Sequence, residues 1–383
     1  MAGIYIHIPF CKQACYYCDF HFSTSLKKKK MLIEALIKEV QLRKEALNNQ
    51  MVTTIYFGGG TPSLLSTSEL EAIINSVYSY HSVIKNPEIT LEANPDDLLS
   101  FQKSSGTVFE HYKTIGINRL SIGIQSFFDD DLQLMNRAHK ASEAINCLTT
   151  ATQHFDNISV DLIYGIPGMT NKKWIDNIRK ALSFKIPHIS SYALTVEPKT
   201  ALKTFIKKGV IPQVNDAQAQ EQFYLLVDVL EQHHFIHYEL SNFAKKGFFS
   251  ENNSGYWQGK PYIGIGPSAH SFDGKKRSWN IHNNAKYIAS LKENRLPAEE
   301  EILTVTDGYN EYIMTGLRTM WGVSLQKVAK DFGKTYLTYL IKQSEKYILE
   351  ELLYIEGETL KATAKGKFLS DGIASDLFKL NLS

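Results

Sequence analysis

Six short β-rich runs, each followed by a stretch with helical character, constrain this chain more than anything else in it. They are Ile4–Ile8, Thr53–Phe57, Glu88–Leu91, Arg119–Ile124, Ser159–Tyr164 and His188–Leu194. Strands that alternate with helices pair in parallel, because the helix returns the chain to the same end of the sheet before the next strand begins. Leu32, Leu36, Val40 and Leu47 form an apolar stripe at helical spacing in the first gap. In the second gap, Ser66 and Glu69 form a capping box ahead of Leu70, Ile73, Ile74 and Val77. The expectation is an α/β fold with a parallel sheet. In the barrel version of that fold, chemistry collects where strands end and loops begin.

Those strand ends carry unusual residues. The first is followed by Cys11, Cys15 and Cys18, the second by Gly58-Gly59-Gly60-Thr61-Pro62, and the third ends at Glu92. The fourth runs into Gln125 and Ser126, and the fifth contains Asp161 shortly before Gly165 and Gly168. Each alone reads as an ordinary turn or cap, but five strands delivering such groups to one rim indicate a site. The cysteines are the most specific of them. Three of the chain's 4 cysteines fall in a C-x3-C-x2-C cluster. In a reducing compartment such thiolates point to metal, either an iron–sulfur cluster or a Cys3His zinc site completed by His7 or His21. Three thiolates on a four-iron cluster leave one iron open to a substrate. Cys147 sits in a helical pattern and reads as a small buried residue.

Composition narrows the function classes. A hydrophobic fraction of 43% and a charged fraction of 21% are ordinary for a globular protein, and exclude a disordered or fibrous one. The formal charge of +2 gives no electrostatic footprint for nucleic acid. Met1 leads directly into the first strand pattern with no leader-like segment, so the expected location is the cytoplasm. Lys27–Lys30 reads as the solvated start of the first helix.

Together the runs Tyr5–Cys11, the cysteine cluster, Gly58–Pro62, and the segments around Glu92, Gln125, Asn136–His139 and Asp161–Gly168 resemble the radical S-adenosylmethionine (SAM) superfamily. Within it they resemble the oxygen-independent coproporphyrinogen III oxidase-like family. The likeness continues through Ser191–Pro198, Tyr238–Ala244 and Tyr256-Trp257. It implies a partial (βα)6 barrel over residues 1–215, and a linker with a smaller helical, winged-helix-like domain over 216–383. It also implies a [4Fe–4S] cluster on Cys11, Cys15 and Cys18, with SAM held near Tyr5, Tyr17, Gly59, Gly60, Thr61, Glu92, Gln125, Arg137, Asp161 and Ala193. One-electron reduction of such a cluster cleaves SAM to a 5′-deoxyadenosyl radical, so an electron donor is implied as well.

The oxidases of this family carry a further cysteine two places after the third. Here that place holds Phe20, and only four residues precede Tyr5. Both features resemble the branch of the family that handles heme as a chaperone, with a heme-accepting partner such as a membrane-associated respiratory protein. That branch carries H-N-x-x-Y-W, aligned here with Asn252-Asn253-Ser254-Gly255-Tyr256-Trp257. Asn253, Tyr256 and Trp257 are the candidate heme residues, but the histidine is replaced by Asn252, a poor iron ligand. His282-Asn283 does not restore the motif. His237 and His270 are available imidazoles that read as structural or surface residues. The other function the resemblance offers is oxidative decarboxylation of coproporphyrinogen III.

Overall fold

The computed structural model describes residues 1–100 and 107–380. The six expected strands form and pair in parallel in chain order: β1 (Ala2–Ile8), β2 (Val52–Gly59), β3 (Val83–Ala93), β4 (Arg119–Gln125), β5 (Ile158–Tyr164) and β6 (His188–Ala193). Alternation along them separates two environments. Ile4, Ile6, Ile8, Ile55, Phe57, Ile89, Leu91, Leu120, Ile122 and Ile124 are buried in the main hydrophobic core, against the surrounding helices. The opposite face is polar and bonds to itself across strands: Tyr56 Oη donates to Glu92 at 2.8 Å, and Ser121 Oγ to Asp161 at 3.3 Å. That face lines the lumen of the barrel.

The sheet runs past residue 215. It gains β7 (Ile236–Glu239) and β8 (Asn242–Ala244) beyond β6. Beyond β1 it gains β9 (Tyr262–Ile265), β10 (His270–Phe272), β11 (Lys276–Asn280) and β12 (Ala298–Ile302). The order is β12-β11-β10-β9-β1-β2-β3-β4-β5-β6-β8-β7, so β1 has a neighbour on each side, with Gly3 paired to Tyr262 in the parallel contact to β9. A second core gathers Tyr309, Ile313, Leu317, Val323, Val328, Leu340, Leu353 and Leu360. There the helices Val305–Leu317, Leu325–Asp331 and Lys334–Leu349 accompany a small antiparallel sheet of β13 (Val323–Ser324), β14 (Leu353–Glu356) and β15 (Thr359–Ala362), in winged-helix-like order. This domain docks on the barrel through Met320 N–H, which donates to Tyr238 O at 3.0 Å, and through Lys367 Nζ, which reaches His237 O at 3.3 Å.

Local expectations meet the structure residue by residue. The Ser66–Glu69 capping box is present in both directions. Cys147 is fully buried on the helix Ala141–His154. The first helix ends at Leu42, before Leu47; turns follow, with left-handed backbone at Asn48 and Asn49, and Leu47 is nonetheless buried.

Candidate functional site: a polar lumen capped by three thiols

The rim is built from loops that glycine allows to come close. A Cβ at Gly60 would lie 2.5 Å from Phe10 O, and one at Gly59, whose φ is +111°, would lie 2.6 Å from the His7 ring. Side chains at these positions would push the loop after β2 away from the cysteine loop. Gly123 does the same on β4. A Cβ there would sit 2.9 Å from Gln125 Nε2 and 3.2 Å from an Arg137 nitrogen.

Arg137 is the hub of the rim. It donates to Asn94 Oδ1 at 2.6 Å, to Gly123 O at 2.9 Å and to Cys15 Sγ at 3.4 Å. Thr61 Oγ1 donates to Cys11 Sγ at 3.6 Å and accepts from Asn94 Nδ2 at 3.2 Å. Cys18 N–H bonds Cys15 O at 3.3 Å, closing the loop. Burial first, with the neighbouring thiols adding to it, pushes the Cys11 thiol up to about 11, and Cys18 is raised for the same reasons. Clustered thiols resist ionisation unless a cation shares them, and metal binding supplies that cation. Tyr17 lies against the same group, where burial raises its phenol.

The donor set discriminates between the two metals. A tetrahedral zinc site needs four ligands converging on one point. Among the described residues no group of three or more His, Cys, Asp or Glu is placed to hold a single ion. Both candidate histidines are already engaged. His7 Nε2 lies 3.0 Å from His21 O and its Nδ1 lies 3.3 Å from Tyr5 Oη, while His21 Nε2 lies 2.7 Å from Asn284 Oδ1. A four-iron cluster takes each thiolate on a separate iron, which suits three thiols on one loop and no fourth ligand.

Below the thiols the lumen holds two carboxylates whose hydrogen-bond donors are neutral, with the Arg119 guanidinium near both. Glu92 accepts from Tyr56 Oη and from Gly59 N–H; burial, with the charge of Asp161 adding to it, pushes it up to about 7. Asp161 rises to about 6, again chiefly through burial, although Ser190 and Ser121 bond it and Arg119 lies near. Two such carboxylates in one cavity favour a positively charged occupant. Gln125 carries left-handed backbone at φ 66°, and its buried Oε1 has no hydrogen-bond partner among the described residues. A strained residue holding an unpaired acceptor at a strand end is a binding feature. Tyr5 stacks on Tyr56 with ring centroids 6.0 Å apart, and Ala193 closes β6 opposite Tyr164. Tyr56, Asn94 and Arg119 belong to this lumen and were not singled out from the sequence. The lumen-facing positions of β2, β3 and β4, read at period two, would have exposed Tyr56 and Arg119.

The helix Glu251–Trp257 lies at the opposite end of the strands, across the starts of β1 and β2. Glu88 accepts from the N–H groups of Glu251 and Asn252, both at 3.1 Å, and caps this helix. Asn252 is buried and accepts from Thr54 Oγ1 at 3.0 Å. Asn253 bonds back to Ser250 Oγ, and Tyr256 packs edge-on to Tyr262 at 4.4 Å between centroids. The Arg318 guanidinium of the second domain sits 5.7 Å over the Trp257 ring. The two aromatic faces are therefore engaged in packing.

Residues 5–181 match the model of the radical SAM superfamily, and residues 303–369 match that of the HemN C-terminal domain. A heme chaperone HemW from Bacillus subtilis is 34% identical over 97% of this chain and 98% of its own length. The HemW of Lactococcus lactis is 31% identical over 96% and 95%. The chain belongs to the HemW family of radical SAM proteins. In fold, the HemW-family chain superposes on Escherichia coli coproporphyrinogen III oxidase, HemN, with a TM-score of 0.83 at 21% identity, over 99% of this chain and 90% of that one. The radical SAM superfamily as a whole employs a [4Fe–4S] cluster and SAM. No helix among the described residues is long and apolar enough to cross a membrane.

Proposed function

We propose that the protein is a heme chaperone, built on a radical SAM barrel, that binds heme and passes it to an acceptor protein. The observation that carries the reading is the end-to-end likeness to two HemW heme chaperones. It is supported by Phe20, which is 68% exposed where the oxidases place a further cysteine. The acceptor is a heme-requiring protein, such as a membrane-associated respiratory component, and an electron donor serves the cluster in the cytoplasm.

The residues divide the work as follows. Cys11, Cys15 and Cys18 would ligate the cluster, with Thr61 and Arg137 donating to the sulfurs. Glu92 and Arg137 would hold the charged methionine end of SAM, the Gly59-Gly60 turn would accommodate its methionine portion, and Gln125 and Asp161 would bond the ribose side. Tyr5 and Tyr17 wall the space between cluster and nucleoside, and Ala193 bounds it at β6. The bound cluster supplies one-electron reduction of SAM. The chain's own part would be to orient SAM against it.

The test is anaerobic. Reconstituted protein is given heme, and separately coproporphyrinogen III with SAM and dithionite; bound heme and tetrapyrrole products are quantified. One heme per chain and unchanged porphyrinogen are expected, whereas formation of protoporphyrinogen without heme binding overturns the reading. In the same preparation Cys15→Ala should lose iron and sulfide while Cys147→Ala keeps both. Equal loss in the two variants refutes the cluster assignment.

A further inference from the structure

The chain's aligned motif lacks its imidazole, yet an imidazole-bearing cavity lies elsewhere. It is a groove of about 560 Å3 beside β11 and the helix Asn284–Lys292, lined among others by Ser268, His270, Trp279, His282, Lys286 and Leu296. That volume falls within the roughly 300–1,000 Å3 of small-molecule sites.

We propose that this groove binds a metalloporphyrin, with His282 Nε2 as axial ligand to the iron; the proposal rests on the heme-chaperone reading. His282 is held as a ligating histidine is held. Its Nδ1 lies 2.8 Å from Ser268 Oγ; in the tautomer whose Nδ1–H donates to that hydroxyl, Nε2 keeps a free lone pair. Nε2 has no hydrogen-bond partner among the described residues, and the side chain is exposed to the groove. Ser268 itself carries left-handed backbone at φ 65°, tied by its N–H to Ile281 O at 3.2 Å. Strain at a non-glycine residue is retained where the surroundings fix it, and here the result is a hydroxyl aimed at one imidazole.

The remaining walls suit a porphyrin. Trp279, its ring tilted 33° to that of His270 with centroids 6.2 Å apart, and Leu296 offer an aromatic and an aliphatic surface. Lys286 forms no ion pair among the described residues, which leaves its ammonium for a propionate. The groove also adjoins the cysteine loop. The His21 ring, three residues after Cys18, packs edge-on against His282 with centroids 4.1 Å apart, and its Nε2 is fixed by Asn284. By contrast, the helix Glu251–Trp257 presents a buried Asn252 and two rings already in contact with protein.

The test titrates hemin into the full-length, cluster-reconstituted chain and reads the Soret band and the electron paramagnetic resonance of the ferric heme. Wild type, His282→Ala, Ser268→Ala and the surface control His233→Ala are compared, with circular dichroism and SAM binding verifying that each is folded. In His282→Ala the expected result is at least tenfold weaker binding and a displaced Soret band, with the wild-type spectrum restored by added imidazole. Ser268→Ala should weaken binding less, and His233→Ala should not change it. If His282→Ala binds hemin with wild-type affinity and spectrum, the groove proposal falls while the chaperone reading stands. If wild type binds no hemin, both fall.

Discussion

Glu39 beneath the groove and Glu92 in the lumen are both carboxylates of the main sheet's surroundings, and those surroundings differ in kind. Glu39 accepts from Arg43 Nε at 2.7 Å, Asn280 Nδ2 at 2.8 Å, Tyr287 Oη at 2.6 Å and Gly266 N–H at 2.8 Å, and is fully buried. Its charge is neutralised and every direction around it is used. Glu92 is half-buried, has neutral donors only, and shares the lumen with Asp161. The first arrangement joins the long helix after β1 to β11 and to the helix Asn284–Lys292. The second leaves an electrostatic demand that a cationic ligand meets. A buried carboxylate with all its partners indicates architecture, and one short of a cation indicates a site.

This contrast can be broken by mutation. Glu39→Ala leaves Arg43 as an unpaired buried cation and should lower the unfolding free energy by about 3–5 kcal/mol in urea titrations. A loss below about 1 kcal/mol would make the two carboxylates equivalent in kind. Asn280→Ala removes a group that donates to Glu39 and Gly266 O and accepts from Arg43, and should cost about 1–3 kcal/mol by the same measurement.

Glu92→Gln should act in the opposite sense. The folded carboxyl titrates near 7 against 4.5 when free, so the folded state holds its proton more tightly. That stability is fully present below the free value and is lost as pH rises through about 7. The glutamine variant should therefore gain on wild type across that window. The gain should be about 1 kcal/mol in thermal melts, once lumen water screens the charge. In wild type, SAM affinity should rise over the same window by calorimetry, and in the variant it should be weak and flat. The smallest effect is expected from Gln125→Gly, where relief of the left-handed strain and the added chain entropy nearly cancel. Stability should change by less than about 1 kcal/mol, while SAM binding falls.

The lumen was more legible than the groove for a physical reason. Alternation in β1 to β6 and cysteines at close spacing are local patterns, so Ile4–Ile8 and Cys11, Cys15 and Cys18 declare themselves in sequence. Strands β7 to β12 are short, and β12, with three consecutive glutamates, has no strand-like alternation. They form because an edge of the barrel is there to pair with, which no window of sequence records. The Glu39 contacts with Asn280, Tyr287 and Gly266 are likewise pairings of distant positions. His282 was weighed only as part of a motif it does not complete. Its pairing with Ser268 depends on a backbone turn at Ser268 that a serine seldom announces.

The position of β1 in the interior of the sheet also sets an order in time. At a synthesis rate of ~5–20 residues per second, β1 and the cysteine loop leave the ribosome well before β9, the partner of the second edge of β1. Until Tyr262 and its neighbours arrive, that edge is open to wrong pairings. The loop after Cys18 waits longer still, since His21 is pinned by Asn284. Newly made chains thus pass through a stage in which the three thiols are present but not yet framed, and productive cluster insertion belongs after that stage, once the later strands have closed around the first.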